Sequence, residues 1–410
     1  MDYIKEKLEL LKFDELSPIQ KEVFKNFKEQ KNIVGLAPTG TGKTHAYLLP
    51  ILSQINKDLN EVQAIILVPT NELVIQVNKM LKEIDEDIIS KAYYGGNDKK
   101  RELDWLNNNQ PQVVITTPGK LHDYVSKENK LKIHKAKYLV LDEADMMFDE
   151  DFLVKIDAVI ENLNPKILLF SATITETMEP FIKKYFGSSI VIDTTNQHTL
   201  DISYYLLKTK LDNKLETLRQ LTQTINPYLA FIFVSKKEDQ QKIFAELQEN
   251  KVNVANFSSD LNMKVRKKMI EDIHKLKYQY VVASDLAARG IDFTASHVIH
   301  YDLPYHLEFF KHRSGRTGRM GKSGDVIVLY DLKESRKIDK IKKMGITFKN
   351  ASLTKGEFVI ELPKVKEKDE EIITAVKAVK KSNKVKPNHK KKYRAEVKKA
   401  IKKVKRSRFQ

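Results

Sequence analysis

Two short segments of this chain carry residue types whose spacing could do chemistry. Residues 37–44 read Ala37-Pro38-Thr39-Gly40-Thr41-Gly42-Lys43-Thr44, directly after the apolar run Ile33–Leu36. A Gly-rich loop between a strand and a helix lets backbone N–H groups close around a polyphosphate at the positive end of the helix. Gly40 and Gly42 permit the close approach, Lys43 can reach the β- and γ-phosphates, and the Thr44 hydroxyl suits a magnesium ion. The usual pattern begins with Gly, whereas this loop begins with Ala37. About a hundred residues later, Asp142-Glu143-Ala144-Asp145 follows the apolar run Tyr138–Leu141. Asp142 can take Mg2+ and Glu143 can orient or deprotonate an attacking water. Together the segments imply binding and hydrolysis of a nucleoside triphosphate.

These groups must be held at strand ends, and the chain supplies the strands. Short apolar runs alternate with helix-length amphipathic segments, predicting strands at Ile33–Ala37, Ala64–Val68, Val113–Thr116, Tyr138–Leu141, Ile167–Phe170 and Ile190–Ile192. After a polar pause the pattern resumes at Ile202–Leu207, Leu229–Val234, Val252–Ala255, Tyr280–Ala283, Val298–Tyr301 and Asp325–Leu329, with a last strand around Phe358–Leu362. Runs this short and continuously apolar suit parallel strands buried on both faces, with helices as crossovers. The reading is an α/β chain of two parallel-sheet domains in tandem, 1–193 and 202–362, joined by a linker at 194–201. Ligands then fall where loops from the carboxyl ends of the strands converge.

Composition narrows the function further. Of a net charge of +17, the stretch Thr374–Gln410 supplies +15, from sixteen Lys or Arg against the single acid Glu396. A basic extension over 363–410 points to a polyanion, nucleic acid first. The chain has no cysteine, which excludes disulfides, thiolate catalysis and Cys-ligated zinc. No run approaches the ~18 apolar residues of a membrane span, and the start lacks a signal-peptide core. A soluble cytoplasmic protein is expected.

With the phosphate loop and Asp142–Asp145 in place, the chain resembles the DEAD-box RNA helicases, of the bacterial kind with basic tails linked to cold shock and ribosome biogenesis. The resemblance runs in family order from Phe13 to Arg319. It includes Pro69-Thr70-Asn71-Glu72-Leu73, Gly95-Gly96, Thr117-Pro118-Gly119-Lys120 and Ser171-Ala172-Thr173. In the second half come Ile232-Phe233-Val234, Ser284 through Asp292, and His312-Arg313-Ser314-Gly315-Arg316-Thr317-Gly318-Arg319. It implies two RecA-like domains of the P-loop NTPase class, helicase superfamily 2, with ATP and Mg2+ as cofactors. Phe13 and Leu16-Ser17-Pro18-Ile19-Gln20 resemble the motif that reads adenine, with Phe13 stacking on the ring. Ser17, Pro18 and Gln20 also form a helix-capping box on their own terms, and that box competes for the Gln20 amide.

By the same resemblance Arg316 and Arg319 are arginine fingers that reach the γ-phosphate across the cleft, and Asp292 contacts the ribose. His312 joins Asp145, Ser171 and Thr173 in a network that couples hydrolysis to domain closure. The implied RNA contacts are Pro69, Thr70, Glu72, Gly96, Thr117, Pro118, Gly119 and Lys120 in the first domain. Arg266, Ser284 and Arg289 serve in the second. Such contacts go to sugar and phosphate, so binding is expected to be largely independent of sequence. Three positions depart from the family: Asn71 replaces an Arg, Met263 a Gln, and Ser314 a bulky apolar residue.

The expected activity is RNA-stimulated ATP hydrolysis that separates short RNA duplexes or remodels RNA–protein particles, on ribosomal RNA or mRNA. Alternatives are an ATP-gated RNA clamp without productive unwinding and a superfamily 2 DNA helicase. Ribosomal particles or RNA-decay factors are candidate partners, with a monomer as the default state.

Overall fold

Each apolar run becomes a strand because both of its faces can be covered. In the run Ala64–Leu67, Ile65 and Leu67 enter one core cluster while Ala64 and Ile66 enter the other. The same alternation places Val281 and Ala283 on one side of the second sheet and Tyr280 and Val282 on the opposite side. A computed structural model describes residues 2–148, 150–161, 163–195, 201–258, 260–285, 293–318, 323–361, 378–379, 395–400 and 402.

The first sheet contains β1 (Asn32–Leu36), β2 (Ala64–Leu67), β3 (Ser90–Tyr93), β4 (Val113–Thr116), β5 (Tyr138–Asp142), β6 (Lys166–Ser171) and β7 (Ser189–Asp193). Its spatial order is β3-β4-β2-β5-β6-β1-β7, with every recorded pairing parallel. The carboxyl ends therefore share one edge, and the order sorts them. Ends of β1, β5 and β6 lie on one side, and ends of β2, β3 and β4 on the other.

The second sheet holds β8 (Ile202–Lys208), β9 (Ala230–Phe233), β10 (Val254–Phe257), β11 (Tyr280–Ala283), β12 (His297–His300), β13 (Gly324–Tyr330), β14 (Phe348–Thr354) and β15 (Glu357–Ile360). The order is β10-β11-β9-β12-β13-β8-β14-β15. Residues 1–358 form one body that contains the first sheet and strands β8–β14 of the second, the first and second lobes. Within 359–410, residues 395–400 are helical.

Two strands depart from the sequence reading. Ser90–Tyr93 was not expected because it is an edge strand in which only Tyr93 is buried. Phe348–Thr354 pairs with β8 and buries only Ala351, so it lacks the apolar run of an interior strand. The strand expected at Val252–Ala255 begins two residues later, at Val254.

Candidate functional site: a nucleotide pocket and an RNA face

The phosphate loop runs from the end of β1 into the helix Lys43–Leu52. Gly42 caps that helix in the left-handed region, φ +87°, and a Cβ there would sit 2.6 Å from the Gln20 amide nitrogen. Glycine is thus required twice over, by conformation and by space. Lys43 is buried, and its Nζ donates to the Ala37 carbonyl at 3.0 Å and pairs with Glu143 Oε1 at 3.3 Å. The ammonium is held between the loop and the carboxylate that would handle water.

Asp142 ends β5 and is fully enclosed. Its Oδ2 accepts from the Tyr47 hydroxyl at 2.8 Å and from Thr44 Oγ1 at 3.5 Å, and its Oδ1 accepts from the Glu143 N–H at 2.9 Å. Burial, then the neighbouring Glu143 charge, push its carboxyl up to about 6. A carboxylate beside a hydroxyl is a hard oxygen donor set of the kind Mg2+ accepts, with phosphates and water completing the shell. No cluster of three or more His, Cys, Asp or Glu exists among the described residues, so an all-protein metal cage is not offered there. Glu143 turns the chain with φ +52°, an uncommon conformation for a non-glycine residue that sets its side chain back toward Lys43.

Gln20 is buried, and both ends of its amide are engaged. Oε1 accepts from Ser17 N–H at 2.9 Å, completing the capping box, while Nε2 donates to the Gly42 carbonyl at 3.3 Å. The side chain thus ties the start of the helix Pro18–Asn26 to the phosphate loop. Phe13 stands edge-on to His45, ring centroids 5.0 Å apart.

The second lobe closes over this pocket. His312, in the helix Glu308–Ser314, reaches Asp145 Oδ2 with Nε2 at 3.1 Å. Thr173 Oγ1 donates to the same oxygen at 3.1 Å, and Ser171 Oγ accepts from Asp145 N–H at 3.2 Å. Burial pushes the Asp145 carboxyl up, but the charge and hydrogen bond of His312 outweigh it and hold it below its usual range. Gly315 lies on the loop itself: a Cβ there would come 2.7 Å from Thr39 Oγ1. Arg316 is buried beside Glu143, whose charge partly offsets the burial that lowers the guanidinium pKa. Glu143 Oε2, Asp145 Oδ1 and His312 Nδ1 are buried without a hydrogen-bond partner among the described residues. Three polar atoms with unused capacity in one pocket mark it as a place built for a polar ligand.

The RNA candidates gather at the other end of the same edge. Pro69 and Thr70 follow β2, Gly96 lies in the turn after β3, and Thr117 to Lys120 follow β4. Thr70 Oγ1 caps the helix Asn71–Ile84 through Leu73 N–H at 3.3 Å. Lys120 lies over the Tyr124 ring at 5.5 Å, and the space around Gly119 is open. Asn71, at the position where an Arg was expected, accepts from Gly95 N–H at 3.0 Å and so fixes the Gly95-Gly96 turn. Glu72 and Arg266 meet each other: Oε1 and Nε are 2.5 Å apart, with side chains 14% and 6% exposed. Met263 packs on Gly96, its Cγ 3.2 Å from where a Cβ would stand. Ser284 directly follows β11. Arg289, Asp292 and Arg319 lie outside the described residues.

Three groupings around the candidate site were not expected from the sequence. Arg313 forks onto Asp285, donates to the Asp302 carbonyl at 2.8 Å and Ser235 Oγ at 3.1 Å, and lies over Phe233. It thereby joins the loops after β9, β11 and β12. Tyr47 bonds Asp142, and Ser314 bonds the Phe310 carbonyl at 2.7 Å and faces His300 at 3.4 Å. Arg313 and Ser314 stood in the arginine motif without an assigned contact, and Tyr47 left a trace only in its spacing, since three residues after Thr44 a side chain shares its helix face.

The pattern of the DEAD/DEAH box helicase domain matches residues 17–181, and that of the helicase conserved C-terminal domain matches 213–321. The DEAD-box ATP-dependent RNA helicase CshB of Bacillus cereus is 37% identical over 94% of this chain and 92% of its own length. CshB of Bacillus subtilis is also 37% identical, over 97% of this chain and 94% of its own length. Among solved structures, S. cerevisiae Dbp5 bound to RNA and ADP BeF3 superposes with a TM-score of 0.76 at 26% identity, covering 86% of this chain and 94% of that one.

Proposed function

This chain belongs to the DEAD-box ATP-dependent RNA helicase family, and we propose from that premise that it couples ATP hydrolysis at the pocket between its lobes to local opening of RNA duplexes. The observation that carries the proposal is the pair of second-lobe contacts on the first-lobe site: His312 on Asp145 and Arg316 beside Glu143. A nucleotide gripped from both sides makes hydrolysis and lobe position one event.

The steps follow from the side chains. Backbone N–H groups of 39–44 take the phosphates, and Lys43 exchanges the Ala37 carbonyl for phosphate oxygens. Gln20 and Phe13 set the entrance where adenine is read, Gln20 by holding the loop at Gly42. Glu143, paired with Lys43 at 3.3 Å, orients the attacking water and receives its proton. Arg316 neutralises charge that grows on the γ-phosphoryl oxygens, an effect of ~10³–10⁵ in related chemistry. Thr44 and Asp142 would hold Mg2+, which supplies neutralisation of the phosphate charge when bound. Asp145, Ser171 and Thr173 report the result to His312.

At the other end of that edge, Pro69, Thr70, Glu72, Gly96, Thr117 to Lys120, Arg266 and Ser284 bind a single strand by its backbone, in a shape that duplex geometry does not allow. A duplex step is worth ~1.4 kcal/mol in the DNA case, so disrupting a few pairs asks only modest differential binding. The basic stretch 374–410 favours structured RNA such as ribosomal particles, and RNA-decay factors are further candidate partners. A monomer working in the cytoplasm is the accompanying proposal.

The test is paired. RNA should stimulate ATP hydrolysis more than DNA of matched length, and short RNA duplexes should be separated in an ATP-dependent manner while long ones are not. Stimulation by RNA without strand separation would leave an ATP-gated clamp.

A further inference from the structure

Tyr47 lies one helical turn beyond the phosphate loop, three residues after Thr44 and so on the same face of the helix Lys43–Leu52. It is fully buried, and its ring packs at 5.3 Å against Phe170 of β6. A tyrosine in such a core must place its hydroxyl, because an unpaired buried hydroxyl is costly. The hydroxyl donates to Asp142 Oδ2 at 2.8 Å, while Oδ1 of the same carboxylate accepts from Glu143 N–H at 2.9 Å. The Thr44 hydroxyl meets the same Oδ2 at a longer 3.5 Å. Two hydrogen bonds therefore fix the plane of the Asp142 carboxylate, and the one from Tyr47 comes from a residue that shares a rigid helix with Thr44.

We propose that Tyr47 is a positioning residue for magnesium. Its hydroxyl sets the Asp142 carboxylate and Thr44 in register, so that the ion meets a preformed pair of oxygens. Donors that orient a metal-binding side chain commonly change metal affinity by ~10- to 100-fold when removed. The inference rests on the assignment of Asp142 and Thr44 to Mg2+ made above.

The experiment is a Mg2+ titration of fluorescent ADP binding to full-length protein, comparing wild type, Tyr47→Phe and Tyr280→Phe. Tyr280 is a control in the second lobe whose buried hydroxyl bonds the carbonyls of Thr222 and Ile225, both at 3.2 Å. Tyr47→Phe keeps the ring against Phe170 and removes only the hydroxyl. The expected result is a Mg2+ midpoint raised by about 10-fold in Tyr47→Phe, with ADP binding in excess chelator unchanged and Tyr280→Phe like wild type. A midpoint within twofold of wild type, or an equal shift in Tyr280→Phe, overturns the role of Tyr47 while leaving the metal assignment standing. ADP binding that ignores Mg2+ in the wild type overturns both. Should Tyr47→Phe melt early, the titration is repeated below its unfolding transition, with the wild type at the same temperature and the same expected shift.

Discussion

Among the described residues, the lobes meet on a nucleotide side and on an RNA side that are built from different chemistry. On the nucleotide side, a histidine meets a buried aspartate and a glycine rests on the phosphate loop, with three polar atoms left without partners among the described residues. On the RNA side, a nearly buried Arg266 pairs with Glu72, and Met263 packs on Gly96. The first contact has hydrogen-bonding capacity to spare for a ligand. The second is largely satisfied by protein. The difference teaches that nucleotide would strengthen one contact, whereas RNA has to compete with or share the other. The spatial strand order makes the division possible, because β1, β5 and β6 end at one site and β2, β3 and β4 at the other.

The largest expected effect falls on the nucleotide side. Replacing Arg316 with Ala should lower kcat by ~10³-fold or more, with nucleotide affinity little changed, as read by steady-state hydrolysis and ADP binding. His312→Ala should cost RNA-stimulated turnover about 10- to 100-fold, matching a charged hydrogen bond of roughly 1.5–3 kcal/mol. Hydrolysis without RNA should move much less in that variant, and equal losses with and without RNA would erase the distinction between the two contacts.

On the RNA side, Arg266→Ala should weaken RNA binding by about 30-fold, roughly 2 kcal/mol, because Glu72 is left without its charge partner. A double-mutant cycle with Glu72→Ala isolates the pair. Coupling near zero would mean that the two residues meet without energetic consequence. Deleting residues 374–410 should leave basal hydrolysis intact, lower RNA affinity on the order of 10-fold and flatten its salt dependence. Unchanged affinity would show that the folded lobes hold the strand unaided.

The smallest effect is one of pH. His300 is fully buried against Phe310, and burial, then the Arg313 charge, depress its pKa well below the usual value. The unfolded chain binds this proton more readily, so the contribution is present above about pH 6.5 and is lost as pH falls below it. The slope attributable to one such group is at most ~1.4 kcal/mol per pH unit, and His300→Phe should remove it from the denaturant-derived stability of the protein.

Much of this was legible before the fold was known, for a physical reason. Asp142 and Glu143 sit at and just past the end of a buried strand, and the loop that leads to Lys43 begins where another ends, so that a continuous apolar run announces the strand and the polar residues beyond it announce the site. Ser90–Tyr93 and Phe348–Thr354 were hidden because strands with few buried residues need no such run. Pairings at long sequence distance were also out of reach. Nothing near Glu72 or Arg266 says that they touch, since both were read as RNA contacts and only the fold brings them together. Gln20 is the intermediate case. Its capping spacing was readable from Ser17, yet its second bond, to the Gly42 carbonyl, depends on how the helix Pro18–Asn26 docks on the loop.

Coupling between hydrolysis and lobe position requires one short distance. In a crystal structure of the protein with RNA, Mg2+ and ADP BeF3, the Arg316 guanidinium should lie within hydrogen-bonding reach, about 3 Å, of the beryllium fluoride group. If the RNA-loaded complex instead leaves Arg316 turned away, with no second-lobe group on the phosphates, the lobes do not share the nucleotide and its hydrolysis cannot be what moves them.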